Sequence, residues 1–290
     1  MDRPRLLAAT FCLLAVTLGA GPLPADAPPA IDGDRGLARR FRRPVAMAAV
    51  DGGRTLLVAN RESGSISRVD LASRRVTGET PVGRQLADLA VTPDGRWVLV
   101  TDRAAGELIL LDYHDGRLTL RQRVKVAATG GLGSLSIGPR GRLAFVASEW
   151  SRTLTPVELS SRPLAPGQPL RLGFAPGRQI WLPDGRTLLV ADVFGGRLAV
   201  IDVAGRRVRH VHELLAHNIR GLALSADRRH LLLTHQVLNS AARSTRNDVF
   251  WGLLMSNNIR RLPLTAVLSS RRLTGRVGTL AALGQASLAA

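Results

Sequence analysis

The chain has 290 residues, 45% of them hydrophobic and 4% aromatic, with a formal net charge of +18. That is enough apolar material to build a core for one large domain or two ordinary ones. Lys125 is the only lysine, so 39 of the 40 basic residues are arginine, scattered through turns as Arg42-Arg43, Arg74-Arg75, Arg206-Arg207 and Arg228-Arg229. No basic helix or paired aromatics accompany them, so the charge reads as a solvated surface rather than a nucleic-acid interface.

The N-terminus comes first. MDRPR supplies two arginines, LLAATFCLLAVTLGA (6–20) is an apolar run, and GPLPADAPPA follows, rich in small residues and proline. This order predicts a signal peptide and leader over 1–27 and a periplasmic or extracellular protein. The apolar run is shorter than a membrane span needs; an uncleaved anchor is the alternative. Cys12, the sole cysteine, lies inside this leader. The mature chain then has no disulfide, no thiolate metal site, no thiol nucleophile and no Cys-x-x-Cys-His haem attachment. Residues 28–43 read as a linker, and GLARRFRRP (36–44) as a candidate closing outer strand.

From residue 44 onward the sequence repeats. Arginines that follow tight turns, Arg54, Arg96, Arg142, Arg186 and Arg229, are spaced by 42, 46, 44 and 43 residues. The pairs Val69-Asp70, Leu111-Asp112, Val157-Glu158 and Ile201-Asp202 keep the same step. Two markers with one period define five units: 44–84, 85–130, 131–175, 176–216 and 217–269. Unit two shows the grammar. LADLAV (86–91) is a strand, TPDG a tight turn, RWVLVTD an apolar strand buried on both faces, LILLD a third strand and LTLRQRVKV a polar outer strand. Four short strands per repeat of this length predict an all-β fold, a β-propeller of four-stranded blades.

The strand-two ends LVAN (57–60), LVTD (99–102) and LVAD (189–192), with the third-strand ends SRVDL, LILLDY and LAVIDV, resemble the YVTN-type repeat of bacterial secreted propellers. The resemblance covers about residues 44–216 and fails at LLTHQ in unit five. It implies a ring of usually seven blades, often followed by haem-bearing cytochrome c segments. Only five units are visible, and unit five is expected to form its own outer strand near Leu264–Thr274. Residues 270–290 read as a poorly defined tail, of which GRVGTLAALGQASLAA (275–290) shows no turn marker and no strand pair. Three readings follow: a five-bladed ring, a ring completed by poorly marked blades, or a truncated seven-bladed ring, the last preferred.

Function is expected on the rim where second strands end, at Asn60, Asp102, Ser148, Asp192 and His235. Loops that open the next blade add Arg84 and Gln85, Arg178 and Gln179, and His217 and Asn218. Unit five departs from the pattern with a long connection, Gln236–Asn257, holding Arg246, Asp248 and Trp251. The candidate binding residues are therefore Asn60, Arg84, Asp102, Arg178, Asp192, His217, Asn218, His235, Arg246, Asp248 and Trp251. His217, His235 and Asp192 are the one set that offers ligands to a divalent metal; no other cofactor is expected. His210 and His212 share a face of an outer strand. No Gly-x-Ser-x-Gly elbow or Gly-x-x-x-x-Gly-Lys loop occurs, and TGGLG (129–133) is not followed by a helix. No catalytic residue is assigned. The expectation is a binding scaffold for a protein, peptide or small ligand, without nucleic acid or an integral membrane domain. The alternative is the accessory or truncated half of a redox or metal-dependent enzyme of the propeller–cytochrome type.

Overall fold

The computed structural model describes residues 41–161, 163–243, 245–250, 252, 254–271, 273 and 279–283. The expected leader, the expected linker up to residue 40 and Trp251 lie outside the described residues, as does the side chain of Asp248.

Five four-stranded antiparallel sheets follow one another along the chain. Blade 1 holds β1 (Pro44–Val50), β2 (Thr55–Asn60), β3 (Ser65–Asp70) and β4 (Arg75–Pro81). Blade 2 holds β5 (Leu86–Val91), β6 (Trp97–Asp102), β7 (Glu107–His114) and β8 (Arg117–Lys125). Blade 3 holds β9 (Leu132–Ile137), β10 (Leu143–Ser148), β11 (Thr153–Glu158) and β12 (Leu170–Arg171). Blade 4 holds β13 (Pro176–Trp181), β14 (Thr187–Asp192), β15 (Arg197–Asp202) and β16 (Arg207–Glu213). Blade 5 holds β17 (His217–Leu224), β18 (His230–Leu238), β19 (Met255–Pro263) and β20 (Thr279–Leu283). The inner strands pack in the order β1, β5, β9, β13, β17. This is an all-β propeller arrangement of five four-stranded blades.

The side-chain period of two explains why second strands are apolar throughout. In β6, Val98 and Val100 enter the core shared with blade 1, whereas Leu99 between them enters the core shared with blade 3. In β14, Leu188 and Val190 face blade 3, and Leu189 and Ala191 face blade 5. A strand between two neighbours has no solvent face. Truncating a side chain buried this way, such as Leu99→Ala, costs about 2–5 kcal/mol. Four such cores join the five blades. Among the described residues, β1 and β17 do not pack on each other as consecutive inner strands do.

The lower rim carries the tight turns that mark the repeat. In blades 2, 4 and 5 an aspartate accepts hydrogen bonds from its own turn: Asp94 from the Arg96 amide at 3.1 Å and from the Thr92 hydroxyl, and Asp184 from the amides of Arg186 and Thr187 at 2.8 and 3.0 Å. Asp227 accepts from the Arg229 amide at 3.0 Å and from the Ser225 hydroxyl. Gly95 and Gly185 hold φ of +74° and +60°, the left-handed region that the turn requires.

Blade 5 differs from its expected form. Leu264–Leu268, expected in the outer strand, is an α-helix that buries Val267 in the core between blades 4 and 5. The outer strand is instead β20, which pairs Thr279 with Arg261 and Leu283 with Asn257, within the tail that shows no strand signal. Pro263 closes β19 and the helix follows it directly. Residues 41–43 do not act as an outer strand. The amides of Arg61 and Glu62 donate to the carbonyls of Arg43 and Arg42, so this segment continues β1 beside β2.

Candidate functional site

The upper rim is built from two layers of residues. Each inner strand loses its register with the second strand at this end. The breaks fall between Pro44 and Ala46, Leu86 and Asp88, Leu132 and Leu135, Pro176 and Gln179, and His217 and Gly221. A bulge turns the skipped residues out of the ladder and re-aims them. Here they line one funnel of about 250 Å³: Val45, Ala87, Gly133 with Ser134, Gly177 with Arg178, and Ile219 with Arg220. Gly177 is required by space, because a Cβ would lie 2.8 Å from the Val193 side chain and 3.3 Å from the Ala191 carbonyl; at Gly133 a Cβ would press on the Glu149 carboxylate, 2.8 Å away.

The second layer comes from the residue after the second strand of blades 1 to 4. Arg61, Arg103, Glu149 and Val193 also line the funnel. The expected rim residues sit one position earlier, and one position in a strand is the opposite face. Asn60, Asp102, Ser148, Asp192 and His235 are all buried, none more than 5% exposed. Asn60 donates to the hydroxyls of Ser65 and Ser67 at 3.2 and 2.8 Å. Asp102 accepts from the amides of Arg84, Gln85 and Ala105 at 2.6, 3.3 and 3.0 Å, so it ties together the two loops beside it. Asp192 accepts from the Phe194 amide at 3.1 Å.

The funnel has an excess of positive charge. Arg61, Arg103, Arg178 and Arg220 face Asp88 and Glu149. Glu149 pairs with Arg103 at 2.8 Å, and the Arg103 guanidinium lies over the Trp150 ring, 5.4 Å from its centroid. Arg178 donates through Nε to the Arg220 carbonyl at 3.1 Å, and Arg61 through Nε to the Leu86 carbonyl at 3.4 Å. Burial, with the charges of Arg43 and Arg103, pushes the Arg61 guanidinium down despite the opposing carboxylates of Glu149 and Glu62. Burial pushes the Asp88 carboxyl up. The amides of Leu135 and Leu89, which donate to it at 2.8 and 2.9 Å, and the charge of Arg178 offset that only in part.

Glu149 also opens onto a second cavity of about 810 Å³ between the loops of blades 3 and 4. Its apolar wall is Trp150, Phe174, Phe194 and Leu215, with Asp192 and His217 at its edge. Trp150, Phe194 and Leu215 are 62–64% exposed, an unusual concentration of large apolar groups in water. Charged funnel and apolar cavity are therefore neighbours on one rim.

The other expected residues are dispersed. Arg84 is exposed and lines a third cavity of about 580 Å³ with Glu107, Arg123 and Lys125. Asn218 donates to the Gln236 side chain at 2.6 Å. The long connection of blade 5 is a hairpin extension, since β18 and β19 stay paired out to Leu238 and Met255. It carries the short helix α1 (Arg246–Phe250), with Arg246 exposed. His217 and His235 do not meet Asp192 as a ligand set; among the described residues no three His, Cys, Asp or Glu groups are placed to hold a metal. His210 and His212 both direct Nε2 at the Val267 carbonyl, at 3.1 and 2.7 Å, and so join blade 4 to the helix after β19.

No family model matches the chain. A segment of 82 residues, 28% of the chain, is 39% identical to dihydro-heme d1 dehydrogenase of Pseudomonas aeruginosa, but spans only 16% of that protein. The fold is similar to hydrazine synthase of Kuenenia stuttgartiensis, with a TM-score of 0.68 and 23% identity over 84% of this chain and 66% of that one. It is also similar to the propeller domain of Cps50 (Swd1) from Myceliophteria thermophila, with a TM-score of 0.58 and 17% identity over 83% of this chain and 72% of the other. The chain thus spans less than two thirds of the first two proteins it resembles. These likenesses place it, by fold, among the β-propellers.

Proposed function

We propose that this chain is a ligand-binding propeller module whose upper rim takes a flat, carboxylate-bearing molecule. Its carboxylates enter the arginine funnel and its apolar body lies in the adjoining cavity. The observation that carries this reading is the convergence of four arginines from blades 1, 2, 4 and 5 on one funnel holding only two carboxylates, one of them already paired with Arg103. Guanidinium groups recognise carboxylates by paired, charge-assisted hydrogen bonds. The exposed faces of Trp150 and Phe194 offer a stacking surface next to that charge.

The enzyme-associated alternative draws support from the 82-residue likeness to a protein named for acting on dihydro-heme d1. Taken with the geometry, it makes a tetrapyrrole the ligand class of choice, bound by a module that works beside a redox enzyme. The leader that the sequence predicts at 1–27 accords with such a module acting in the periplasm or outside the cell.

Haemin serves as the probe, with quenching of tryptophan fluorescence as the readout. Wild-type protein is expected to bind it. Arg61→Gln and Arg178→Gln should each weaken binding about 10-fold or more, the worth of one charged hydrogen bond. Haemin dimethyl ester should bind weakly and equally to wild type and to both variants. Equal affinity of acid and ester for the wild type, or no binding of either, overturns the proposal.

A further inference from the structure

Blade 5 buries an arginine that lacks acceptors for most of its N–H groups. Arg260, on β19, is 3% exposed. Its Nη2 donates to the Leu215 carbonyl at 3.1 Å, while Nε and Nη1 have no partner. Burial alone pushes the guanidinium down, with no carboxylate acting to hold it up. A buried cation without a counter-charge is strongly unfavourable, and proteins ordinarily pair it or leave it in water.

A second orphan stands beside it. His235, also 3% exposed, donates from Nδ1 to the Gln236 carbonyl at 3.1 Å, and its Nε2 has no partner. Register places both on one face. β18 pairs with β19 as His235 with Asn258 and Leu233 with Arg260, and directly opposed residues share a face. That face carries Leu231, Leu233 and Leu262 into the core between blades 4 and 5. The two polar groups therefore sit at the upper end of an apolar interface. The charge of Arg260 reaches His235 and, after burial itself, helps to keep the imidazole neutral.

We propose that Arg260, with His235 beside it, is the receptor for a small monoanion, a halide or a formate-sized carboxylate, held between blades 4 and 5. One negative charge neutralises one guanidinium and supplies the missing acceptor. The anion also offsets the field at His235, so that Nε2, a bare lone pair while Nδ1 donates, can take up a proton and donate to it. The lid is the connection Leu214–His217, whose Leu215 carbonyl already accepts from Arg260 and whose other side bounds the cavity of about 810 Å³. The orphan atoms have no contact with solvent, so exchange requires this connection to lift. The same positive charge is why His235 and His217 are poorly placed to hold a metal cation.

Thermal unfolding of the full chain tests this, with gluconate replaced stepwise by chloride or formate at constant ionic strength. The wild type should show a saturable rise in Tm, about 5 °C at a hundredfold excess over Kd. Arg260→Met removes the charge at similar volume and should be flat in both salts. His235→Leu should keep a reduced rise. A crystal grown in bromide gives a check independent of any variant's folding, with an anomalous peak expected between Arg260 and His235. A wild type that does not respond, a response shared by Arg260→Met, or no bromide at that place overturns the proposal.

Discussion

The two rims of this propeller use the same residue type for opposite work. On the lower rim, Asp94, Asp184 and Asp227 recur at one position in blades 2, 4 and 5, and each folds back on its own turn. Local hydrogen bonds hold their carboxyls down, and Asp227 falls to about 2. On the upper rim, Asp88 has no counterpart in the other blades, and burial holds it up. Its surroundings are contributed by all five blades. A carboxylate that is repeated and satisfied locally marks architecture. One that is unique, desolvated and ringed by groups from distant sequence marks a site.

Asp102 is the residue on which this contrast could break, because it lies on the upper rim and yet does lower-rim work. It is 1% exposed and accepts three backbone amides from two loops. Asp102→Ala orphans all three and is expected to cost about 3 kcal/mol or more, measured by urea unfolding. Haemin affinity in the folded fraction should change little, since Asp102 does not line the funnel. Asp184→Ala should be milder, about 1 kcal/mol, because its turn is exposed and water replaces the lost acceptor. If Asp184→Ala abolished haemin binding instead, the division of labour between the rims would be wrong.

The fold was legible because its signals are local. Turn chemistry and apolar second strands such as 97–102 need no tertiary knowledge, and Leu99 between Val98 and Val100 already implies two buried faces. The outer strand of blade 5 was not legible. LTAVL alternates weakly enough to pass for a strand, and the helix there is set by Val267 docking into a distant core. The funnel lies one residue away from the expected rim positions. Counting from the marker arginine reaches Asn60 and Asp102, but the funnel takes Arg61 and Arg103, on the other side of the strand. Of the expected binding residues that the structure describes, Arg178 alone lines the funnel. Its loop position was readable, whereas the bulges that turn Ala87, Gly133 and Arg220 inward leave no periodic trace. In a chain with 39 arginines, four that converge are invisible until the blades are placed.

The smallest effect gives the sharpest contrast. A carboxyl raised in the folded state binds more protons folded than unfolded between its ordinary value and its raised one, so stability falls as pH rises through that window. Lowered carboxyls do the reverse: Asp227 contributes stability above the ordinary carboxylate value, lost as pH falls toward about 2. Asp88→Asn removes one proton-binding group and can still accept one of the two amides that Asp88 accepts. At neutral pH its stability should lie within about 1 kcal/mol of the wild type. The difference between variant and wild type should move in the variant's favour as pH rises from the ordinary carboxylate range. Urea unfolding at a series of pH values reads it directly, and Asp184→Asn is the control that must slope the other way. Parallel slopes would mean that Asp88 is one more turn carboxylate, and that the funnel's arginines face a charge the fold already satisfies.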